Sequence, residues 1–466
     1  MREKVLNSKL VHYLWLDRRL LGMISSLAYP VVLANLLQAT VGIIDIWMVS
    51  RLGTEATAAV GMSRQLIMIV IISIAGLAVG ARTLVAQFTG AKRPDMVSRV
   101  AAQSILATFF VSVAISLVGI ALGPMLLRLV GADAQMTALG TPYMQVYFAL
   151  SIFMIFNFMF NAVLQGAGDM KTPLVIMIFI NVIHVLFNYI FIYGAGPFPR
   201  MGVTGAALGT MTSRFVGTAV GLGVLFSGRF AVKLSRTTSL RPDWDLMWRV
   251  LRVGIPVAGQ NVVRTLANLG FLWVVTNSAV GGFRRQANVA AYSVGIQAEA
   301  FSFMPALALS VVANTLVGQA QGAGDSAEAE RRGWVVGLIG AVAMSLIGVI
   351  LFVFAPQIIA VFNTAKDELV TEAGIGYLRI NALSEPFLAL SIVMRGGLDG
   401  AGDTKPPLYY TIFSQWLIRL PLSYALVMLL NVGINGAWYA MALSTVVQGI
   451  LTANRFRGNK WKLIRV

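Results

Sequence analysis

The sequence predicts an all-α integral membrane protein with twelve transmembrane helices, arranged as two parallel six-helix lobes. Three observations lead to this fold class. Of the 466 residues, 57% are hydrophobic and 12% are charged, and the mean hydropathy is +0.77, whereas soluble domains carry about 25% charged residues. Apolar stretches of about 20 residues, the length that spans a bilayer, recur along the whole chain. The second half of the chain also repeats the first.

The apolar stretches are separated by turn and charge clusters such as FTGAKRPD and QGAGDMKTP. The first stretch is too long for the core of a signal peptide, and no cleavage site of small residues ends it, so we expect a retained span. The twelve predicted spans cover approximately residues 20–49, 57–81, 100–121, 136–160, 173–195, 201–227, 250–276, 287–317, 333–360, 372–397, 406–430 and 433–453.

The net charge of +17 is explained by membrane topology. An even number of spans places both termini on the same side. If that side is the inside, the inner segments carry 24 of the 36 Lys and Arg residues and the outer loops carry six. This bias follows the positive-inside rule. We therefore expect a multi-pass protein of the cell inner (plasma) membrane with both termini in the cytoplasm, and no nucleic-acid partner.

The composition also excludes several kinds of chemistry. The chain has no Cys and two His, which rules out disulfides, thiolate metal sites and a histidine-rich metal site. It contains no HExxH motif, no GxSxG nucleophile elbow and no Walker A motif. We therefore expect no catalytic residues, no metal site, no cofactor and no enzyme activity. Any transport would draw its energy from an ion gradient or from a partner protein.

The second half of the chain aligns with the first at an offset near 232 residues. The repeat of about 230 residues equals six spans, so both halves have the same orientation, a plan found in secondary transporters. The aligned pairs are Leu84-Val-Ala-Gln-Phe-Thr-Gly-Ala91 with Leu316-Val-Gly-Gln-Ala-Gln-Gly-Ala323, Gln165-Gly-Ala-Gly-Asp-Met-Lys-Thr-Pro-Leu174 with Asp399-Gly-Ala-Gly-Asp-Thr-Lys-Pro-Pro-Leu408, Gly202-Val-Thr-Gly-Ala206 with Gly433-Ile-Asn-Gly-Ala437, and Pro30 with Pro256.

The repeat predicts the division of the chain into segments. A transport pathway would lie between the two lobes, and a non-transporting receptor or scaffold does not account for the parallel duplication. The predicted segments are a cytoplasmic N-terminal segment (1–19), an N-terminal lobe (20–227), a basic cytoplasmic inter-lobe loop (228–249), a C-terminal lobe (250–453) and a basic cytoplasmic tail (454–466).

From Leu20 to Ala453 the chain resembles the multidrug and toxic compound extrusion (MATE) family. The resemblance rests on the duplication, on the GAGD-x-K-x-P loops after spans 4 and 10, and on span 1, where Pro30 lies fifteen residues before Asp45 and IWMVSRLGTEATAAVG follows. In span 5, FNYIFIYG followed by GVTGAALGT is also similar. The resemblance implies a V-shaped bundle that exports small amphipathic or cationic compounds in antiport with protons or sodium ions. We expect a monomer.

The resemblance also implies site residues. Family members use a span-1 Asp and span-5 polar groups in the N-terminal lobe, and Asp45 and Asn188 match these positions. His184 stands where one branch often has Asn, and Thr210 matches a span-6 hydroxyl group. A sodium-coupled branch uses a Glu in span 7 and an Asp in span 10. Here the span-7 position is Arg264, so protons are favoured over sodium.

The residues themselves support a polar site in the outer half of the N-terminal lobe. At 1.5 Å per residue, Asp45 lies about 7 Å, Asn188 roughly 10 Å and Thr210 about 13 Å from the outer ends of their spans. Their similar depths allow them to converge on one site. Asn181, His184 and Asn188 are spaced by three and four residues, so they form a polar stripe on one helix face.

We hypothesise that Asp45 is the group that couples transport to proton flow. A charged carboxylate is costly in an apolar environment, so a carboxyl group there is suited to take up and release a proton. Pro30 would give span 1 a bendable point, because proline removes a helical hydrogen bond. The alternative role for Asp45 is a structural ion pair with Arg64 or Arg214. For the other polar residues, it is interhelical hydrogen bonding or packing.

The C-terminal lobe carries a candidate charge network near the membrane midplane. Arg264, Glu299, Glu385 and Arg419 each lie about twelve to fourteen residues into their spans. Two positive and two negative charges can neutralise one another in a buried network that is costly to break. Contact with substrate or with the coupling ion is the alternative function of these residues.

A second transporter function stays open at this point. Flippases of lipid-linked saccharide precursors share the general architecture, and such a protein would need a more basic cavity for a pyrophosphate group. Several arginines predicted to lie inside spans keep this alternative open, namely Arg64, Arg214, Arg264, Arg379 and Arg419.

Overall fold

The protein is helical throughout the part of the chain that the structure describes. That part contains no β-strand, which confirms the all-α fold class. Most of the predicted N-terminal segment (1–19) and part of the inter-lobe loop (228–249) lie outside it. The computed structural model describes residues 17–129, 131–228, 231–234, 241–278, 282–300, 302–363 and 366–464.

The helices of the first repeat end at turn-forming residues. Gly53, between the first two helices, has a φ of +114°, and the Asp133 side chain accepts a hydrogen bond from the Met136 N–H at the start of the fourth helix. The helices are α1 (Arg18–Ser50), α2 (Thr54–Gly90), α3 (Pro94–Leu129), α4 (Ala134–Ala149), α5 (Ser151–Gly166), α6 (Lys171–Tyr193) and α7 (Gly202–Ser227).

The second repeat has the same helix order, with more interruptions. The helices are α8 (Trp244–Thr276), α9 (Gly282–Ala300), α10 (Met304–Gly322), α11 (Ser326–Val353), α12 (Ala355–Phe362), α13 (Glu368–Ala382), α14 (Glu385–Ala401), α15 (Lys405–Leu429) and α16 (Ile434–Arg457). Two stretches of α15, Phe413–Arg419 and Ala425–Leu429, are wound as π-helix, and a short 3₁₀ turn, Lys460–Leu463, follows α16.

Each predicted span falls on one helix or on two consecutive helices. Within the described residues, five helices are by themselves long and apolar enough to cross a membrane, and up to seven spans result if each of two sharply bent helix pairs counts as one. Large apolar side chains such as Leu117, Val182 and Leu346 are exposed by more than 60%, as expected for residues that face lipid. The chain is a multi-pass membrane protein, and the number of twelve spans stays a prediction.

Two of the spans are broken at equivalent positions of the repeat. The helices α4 and α5 meet at Leu150 with a bend of 48°. The two GAGD motifs are offset by 234 residues in the sequence. At that offset Leu150 corresponds to Ser384, which separates α13 from α14. The helices α9 and α10 also meet at a bend, of 50°. Breaks inside spans free backbone groups, so they are tolerated only where protein or water covers them.

The contacts within the chain define two compact units. One unit is Tyr29–Ala258, and the other combines the chain up to Ala28 with Gly259–Val466. Both boundaries fall inside a long helix, α1 or α8, and each lies within two residues of a proline, Pro30 or Pro256. Proline removes an intrahelical hydrogen bond and so weakens the helix locally. The role of Pro30 as a hinge stays a prediction.

Each unit has its own apolar core. In the unit Tyr29–Ala258, buried side chains of α1, α2, α4, α6 and α7 form one cluster around Ile67, Phe148 and Ile192. In the other unit, the first turns of α1 pack with α10, α11 and α14, and a second cluster gathers around Tyr377 and Trp438.

The two GAGD loops share a backbone turn and differ in their partners. Gly168 and Gly402 have φ values of +91° and +86°, a conformation that glycine adopts at low cost. The Asp169 carboxylate accepts hydrogen bonds from the Thr172 N–H (2.9 Å) and hydroxyl group (2.6 Å) and so caps α6. Asp403 instead binds the Arg455 Nε atom at 2.7 Å.

The C-terminal tail is anchored on the unit that contains α10, α11 and α16. Trp461 is fully buried, stacks on Phe456 with ring centroids 4.9 Å apart, and donates its indole N–H to the Phe456 carbonyl oxygen at 2.6 Å. The Lys462 Nζ atom lies 2.6 Å from Glu330 Oε2, and the Lys462 carbonyl accepts from the Gln321 amide at 2.9 Å. The basic tail is therefore an ordered part of this unit up to residue 464.

We expect Trp461→Ala to destabilise the full-length protein by about 3–5 kcal/mol, because it removes a buried aromatic side chain and leaves a cavity. The measurement is the thermal unfolding temperature in detergent. The matched control is Leu463→Ala, two residues away at a side chain that is 80% exposed. Equal unfolding temperatures for the two variants would show that the tail does not stabilise the fold.

Candidate functional site

The helix α6 carries a polar stripe in an otherwise apolar sequence. Asn181, His184 and Asn188 are exposed by 6%, 2% and 1%. Close packing against α7 buries them, since a Cβ atom on Gly205 would lie 2.2 Å from the Phe191 carbonyl oxygen. Small residues allow two membrane helices to approach at this distance, where polar side chains can bond across them.

Four of the predicted coupling residues meet at this stripe. The Asn188 Nδ2 atom donates to Asp45 Oδ1 at 2.8 Å. The His184 Nε2 atom lies 3.0 Å from Thr210 Oγ1, 3.1 Å from Asn188 Nδ2 and 3.4 Å from Asp45 Oδ1. Side chains from α1, α6 and α7 therefore form one cluster, which we call the Asp45 cluster.

The donor and acceptor roles in the Asp45 cluster depend on the His184 tautomer. The Thr210 hydroxyl group donates to the Ala206 carbonyl oxygen at 2.9 Å, so Thr210 Oγ1 accepts from His184 when Nε2 carries a proton. The Asn188 Nδ2 atom, which only donates, bonds to the same nitrogen when Nε2 carries no proton. With either tautomer, Asp45 Oδ1 accepts from the Asn188 amide, and the Asp45 side chain is 26% exposed.

The arginines of this unit do not form ion pairs with Asp45 in the described part of the chain. The Arg64 Nη1 atom donates to the Gly42 carbonyl oxygen at 3.4 Å, and the Arg214 Nη2 atom donates to Gln38 Oε1 at 3.5 Å. Both charges act on Asp45 electrostatically from a greater distance. The geometry therefore lacks the structural ion pair that was the alternative role for Asp45.

Two amides of the stripe keep unused hydrogen-bonding capacity. Asn188 Oδ1 is buried without a partner, and both amide atoms of Asn181 lack one. The structure thus does not join Asn181 to the Asp45 cluster. Buried polar atoms are normally paired, so each of these atoms is available to a group that arrives or turns during function.

The predicted carboxylates of the second repeat lie together at two helix breaks. Glu299 precedes the break between α9 and α10, and Glu385 begins α14. The Ser302 hydroxyl group lies 2.7 Å from the Glu299 carbonyl oxygen and 3.2 Å from Glu385 Oε1. Tyr377 donates its hydroxyl proton to Glu299 Oε2, while Glu385 Oε2 is buried without a partner. The two carboxyl groups interact electrostatically.

No ion pair joins the four predicted charges of the second repeat within the described residues. Arg419 donates from Nε to Ser444 Oγ at 2.9 Å and packs over the Phe271 ring at 5.9 Å. Its charge acts on Glu299 without direct contact. Arg264 lies near other arginines instead of near a carboxylate. The four residues of the predicted network thus lie as a pair of carboxyl groups, Glu299 and Glu385, and two arginines that do not contact them.

Three residues of this region were not among the predicted site residues. They are Ser302, Tyr377 and Arg395. Ser302 follows Glu299 by three residues, so its nearness in the sequence was a usable signal. Tyr377 bonds to Glu299 from a different helix, and no spacing along one helix connects these two residues. The partner of each across the helix breaks is a property of the tertiary structure.

A cavity of about 550 Å³ lies beside the loops that precede α2 and α7. It is lined by these loops and the first turns of the two helices, among them Glu55 of α2 and Arg200 of the second loop, and by α4. None of the predicted coupling residues lines it. In the described residues, no three His, Asp or Glu side chains are grouped so that they could hold a metal ion.

Comparisons with known proteins agree on one family. The MatE family profile matches residues 30–190 and 264–425, one match in each repeat. A probable multidrug resistance protein NorM of Thermotoga maritima is 30% identical over 443 residues, which cover 94% of this chain and 92% of that protein. The uncharacterised transporter YisQ of Bacillus subtilis is 26% identical over 94% of both chains.

Solved structures show the same fold. A MOP superfamily transporter from Pyrococcus furiosus superposes with a TM-score of 0.85 at 24% identity, covering 93% of this chain and 94% of that one. A MATE structure in the bent conformation gives a TM-score of 0.86 at 23% identity, with the same coverage.

We expect Gly209→Ala to disrupt the Asp45 cluster. A Cβ atom at this position would lie 2.2 Å from Asn188 Oδ1 and 2.7 Å from the Asn188 backbone N atom, so Asn188 must shift away from Asp45. The expected cost is about 1–3 kcal/mol, measured as a lower thermal unfolding temperature. Gly223→Ala in the same helix meets nothing within 4 Å and should be neutral or slightly stabilising. Unchanged stability of Gly209→Ala would contradict this packing.

Proposed function

The chain belongs to the MatE family of transporters, and we propose that it is a multidrug efflux transporter driven by protons entering through Asp45. Its cargo would be small amphipathic or cationic compounds, exported by alternating access. The family match, the NorM relatives and the shared fold support the efflux function. The single observation that carries the coupling proposal is the cluster of Asp45, Asn188, His184 and Thr210 inside apolar helices.

The proposed setting is the inner membrane with both termini in the cytoplasm, and the protein would act as a monomer. The support for this orientation is the distribution of Lys and Arg, 24 of which fall in the inner segments. Asp45 then lies toward the outer side, where it would be loaded with a proton from outside the cell.

Proton uptake by Asp45 would change the hydrogen bond that joins α1 to α6. The ionised carboxylate accepts from Asn188 Nδ2, whereas a protonated carboxyl group also needs an acceptor for its O–H bond. Asn188 Oδ1, which is buried without a partner, supplies that acceptor if the amide turns over. After uptake of one proton, Asp45 would be the donor and Asn188 the acceptor of the hydrogen bond between the two helices. The helix α1 would then be free to adopt a second arrangement at Pro30.

Protons suit the Asp45 cluster better than sodium ions. The Asn188 amide turns an N–H bond toward Asp45, and an N–H bond cannot bind a cation. Hard cations prefer several oxygen ligands. At the span-7 position where the sodium-coupled branch has a Glu, this chain has Arg264. Sodium coupling is the alternative, and an experiment with separate proton and sodium gradients distinguishes the two ions.

We expect Asp45→Asn to abolish proton-driven export, because an amide cannot release a proton at physiological pH. The measurement is dye efflux from everted membrane vesicles under an imposed proton gradient and, separately, an imposed sodium gradient. Glu55→Gln is the matched control, since Glu55 is an exposed acid of the same unit that bonds to Gln135. Efflux at the wild-type rate by Asp45→Asn would overturn the coupling proposal. Efflux of the wild-type protein driven by the sodium gradient alone would show that the coupling ion is sodium instead of the proton.

For Glu299 and Glu385 we propose a structural role at the paired helix breaks. Tyr377 and Ser302 hold the two carboxyl groups, so Glu299→Gln or Glu385→Gln should weaken a buried hydrogen bond, at a cost of roughly 1–3 kcal/mol. We expect a lower unfolding temperature with unchanged efflux per folded molecule. Normal stability combined with lost efflux would instead assign these residues to coupling or substrate binding.

A further inference from the structure

Arg264 lies in the seventh predicted span and has no partner among the described residues. It lies on α8, is partly exposed, and makes no hydrogen bond, ion pair or ring contact with the described residues. An ionisable side chain at membrane depth is costly, and such residues normally pair with another group or line a functional cavity. The cost of Arg264 is therefore not offset by the fold.

The charges around Arg264 increase this cost. The two charged groups that act on it are Arg395 on α14 and Arg419 on α15, and both are positive. Arg395 donates to Gln260 Oε1 at 3.4 Å and is partly neutralised by Asp399. Arg419 donates to two hydroxyl groups, Ser444 and Thr445, and feels the charge of Glu299. In the described part of the chain, Arg264 alone of the three has only like charges acting on it.

The first repeat has no such arginine at the equivalent position. Pro30 and Pro256 are equivalent, and Arg264 follows Pro256 by eight residues, so its counterpart is Gln38. Gln38 Oε1 accepts a hydrogen bond from Arg214 at 3.5 Å. In the first repeat, the amide of Gln38 thus serves as the partner of an arginine. In the second repeat, the equivalent position is occupied by an arginine, Arg264.

The backbone beside this group is also irregular. Arg419 is the last residue of the π-helical stretch Phe413–Arg419 in α15. Such wide turns within a helix are rare and occur frequently at functional sites. The Arg395 Nε atom is buried without a partner, as is Gln415 Oε1. The helices α14 and α15 therefore each carry a buried polar atom with unused hydrogen-bonding capacity.

We infer that Arg264 forms an oxyanion-accepting site for the carboxylate or phosphate group of an amphipathic ligand, together with Arg395 and Arg419, which contact the same helix α8 at Gln260 and Phe271. A guanidinium group binds either anion through two parallel N–H···O bonds, and the neighbouring positive charges attract it further. The inference rests on the proposed efflux function and extends it, because cargo with an acidic group would be held by residues of the second repeat.

The test measures equilibrium binding to the purified full-length protein in phosphatidylcholine nanodiscs. The probes share one aromatic body: pyrenebutyrate, the neutral pyrenebutanol and a pyrenebutyl-trimethylammonium salt. We expect wild type to bind pyrenebutyrate at least tenfold more tightly than pyrenebutanol. Arg264→Gln, which installs the residue of the first repeat, should remove that preference and leave pyrenebutanol binding unchanged. Arg264→Lys should retain part of it.

Arg379→Gln is the matched control, since Arg379 is an exposed arginine of the same unit that packs on Phe352. This variant should keep the preference for the carboxylate. Thermal unfolding of each variant verifies folding. If wild type binds the three probes equally, or if Arg379→Gln loses the preference as Arg264→Gln does, the inference is wrong.

Competition separates the sources of the anion. Displacement of pyrenebutyrate by inorganic pyrophosphate, dependent on Arg264, would identify a phosphate site of the kind a lipid-linked saccharide flippase needs. Displacement only by phosphatidylglycerol in the nanodisc would identify a lipid headgroup. Because binding is measured without transport, loss of proton-driven efflux in Asp45→Asn tests the proposed function independently. Arg264-dependent binding without any efflux would leave this inference standing and overturn that function.

Discussion

A hydrogen bond between two membrane helices, from Asn188 on α6 to Asp45 on α1, is the interaction on which the proposed mechanism depends. A carboxylate among apolar side chains must be compensated by groups of the protein, and here an amide and an imidazole provide the compensation at 2.8 and 3.4 Å. Close packing of α6 on α7 at Gly205 and Gly209 makes this arrangement possible. Because the compensation comes from neutral groups, the carboxyl group is free to change its protonation state without breaking an ion pair.

The need to compensate charged groups among apolar side chains also distinguishes the polar contacts of the two repeats. In the first repeat, each polar group of the Asp45 cluster is bonded to another helix, and the nearby arginines are bonded to a carbonyl and an amide. In the second repeat, the carboxyl groups are held by hydroxyl groups at helix breaks, and Arg264 is left with like charges. A duplication thus retained its helix order while its polar interiors diverged.

The motifs that recur in both repeats are equivalent in their backbone conformation and differ in the partners of their side chains. The two GAGD turns have the same glycine conformation, because the backbone turn is a local property of the sequence. Their aspartates nevertheless differ: Asp169 caps its own helix, whereas Asp403 binds Arg455 from a helix about 50 residues away in the chain. Similarly, the span breaks at Leu150 and Ser384 are equivalent in position, yet only the second places a carboxylate, Glu385, beside the break.

The sequence by itself determined the all-α membrane fold and the duplication, because apolar length and helical spacing act within a single helix or between equivalent segments. It also predicted that Asp45, Asn188 and Thr210 lie at similar depths, and that His184 shares a helix face with Asn188. Only the tertiary structure decided which partner each charge has. The separation of Asp45 from the arginines, the joining of Glu299 to Glu385 through Ser302, and the isolation of Arg264 depend on which faces of distant helices pack together. Side-chain direction across such contacts is a three-dimensional property that spacing along one helix does not contain.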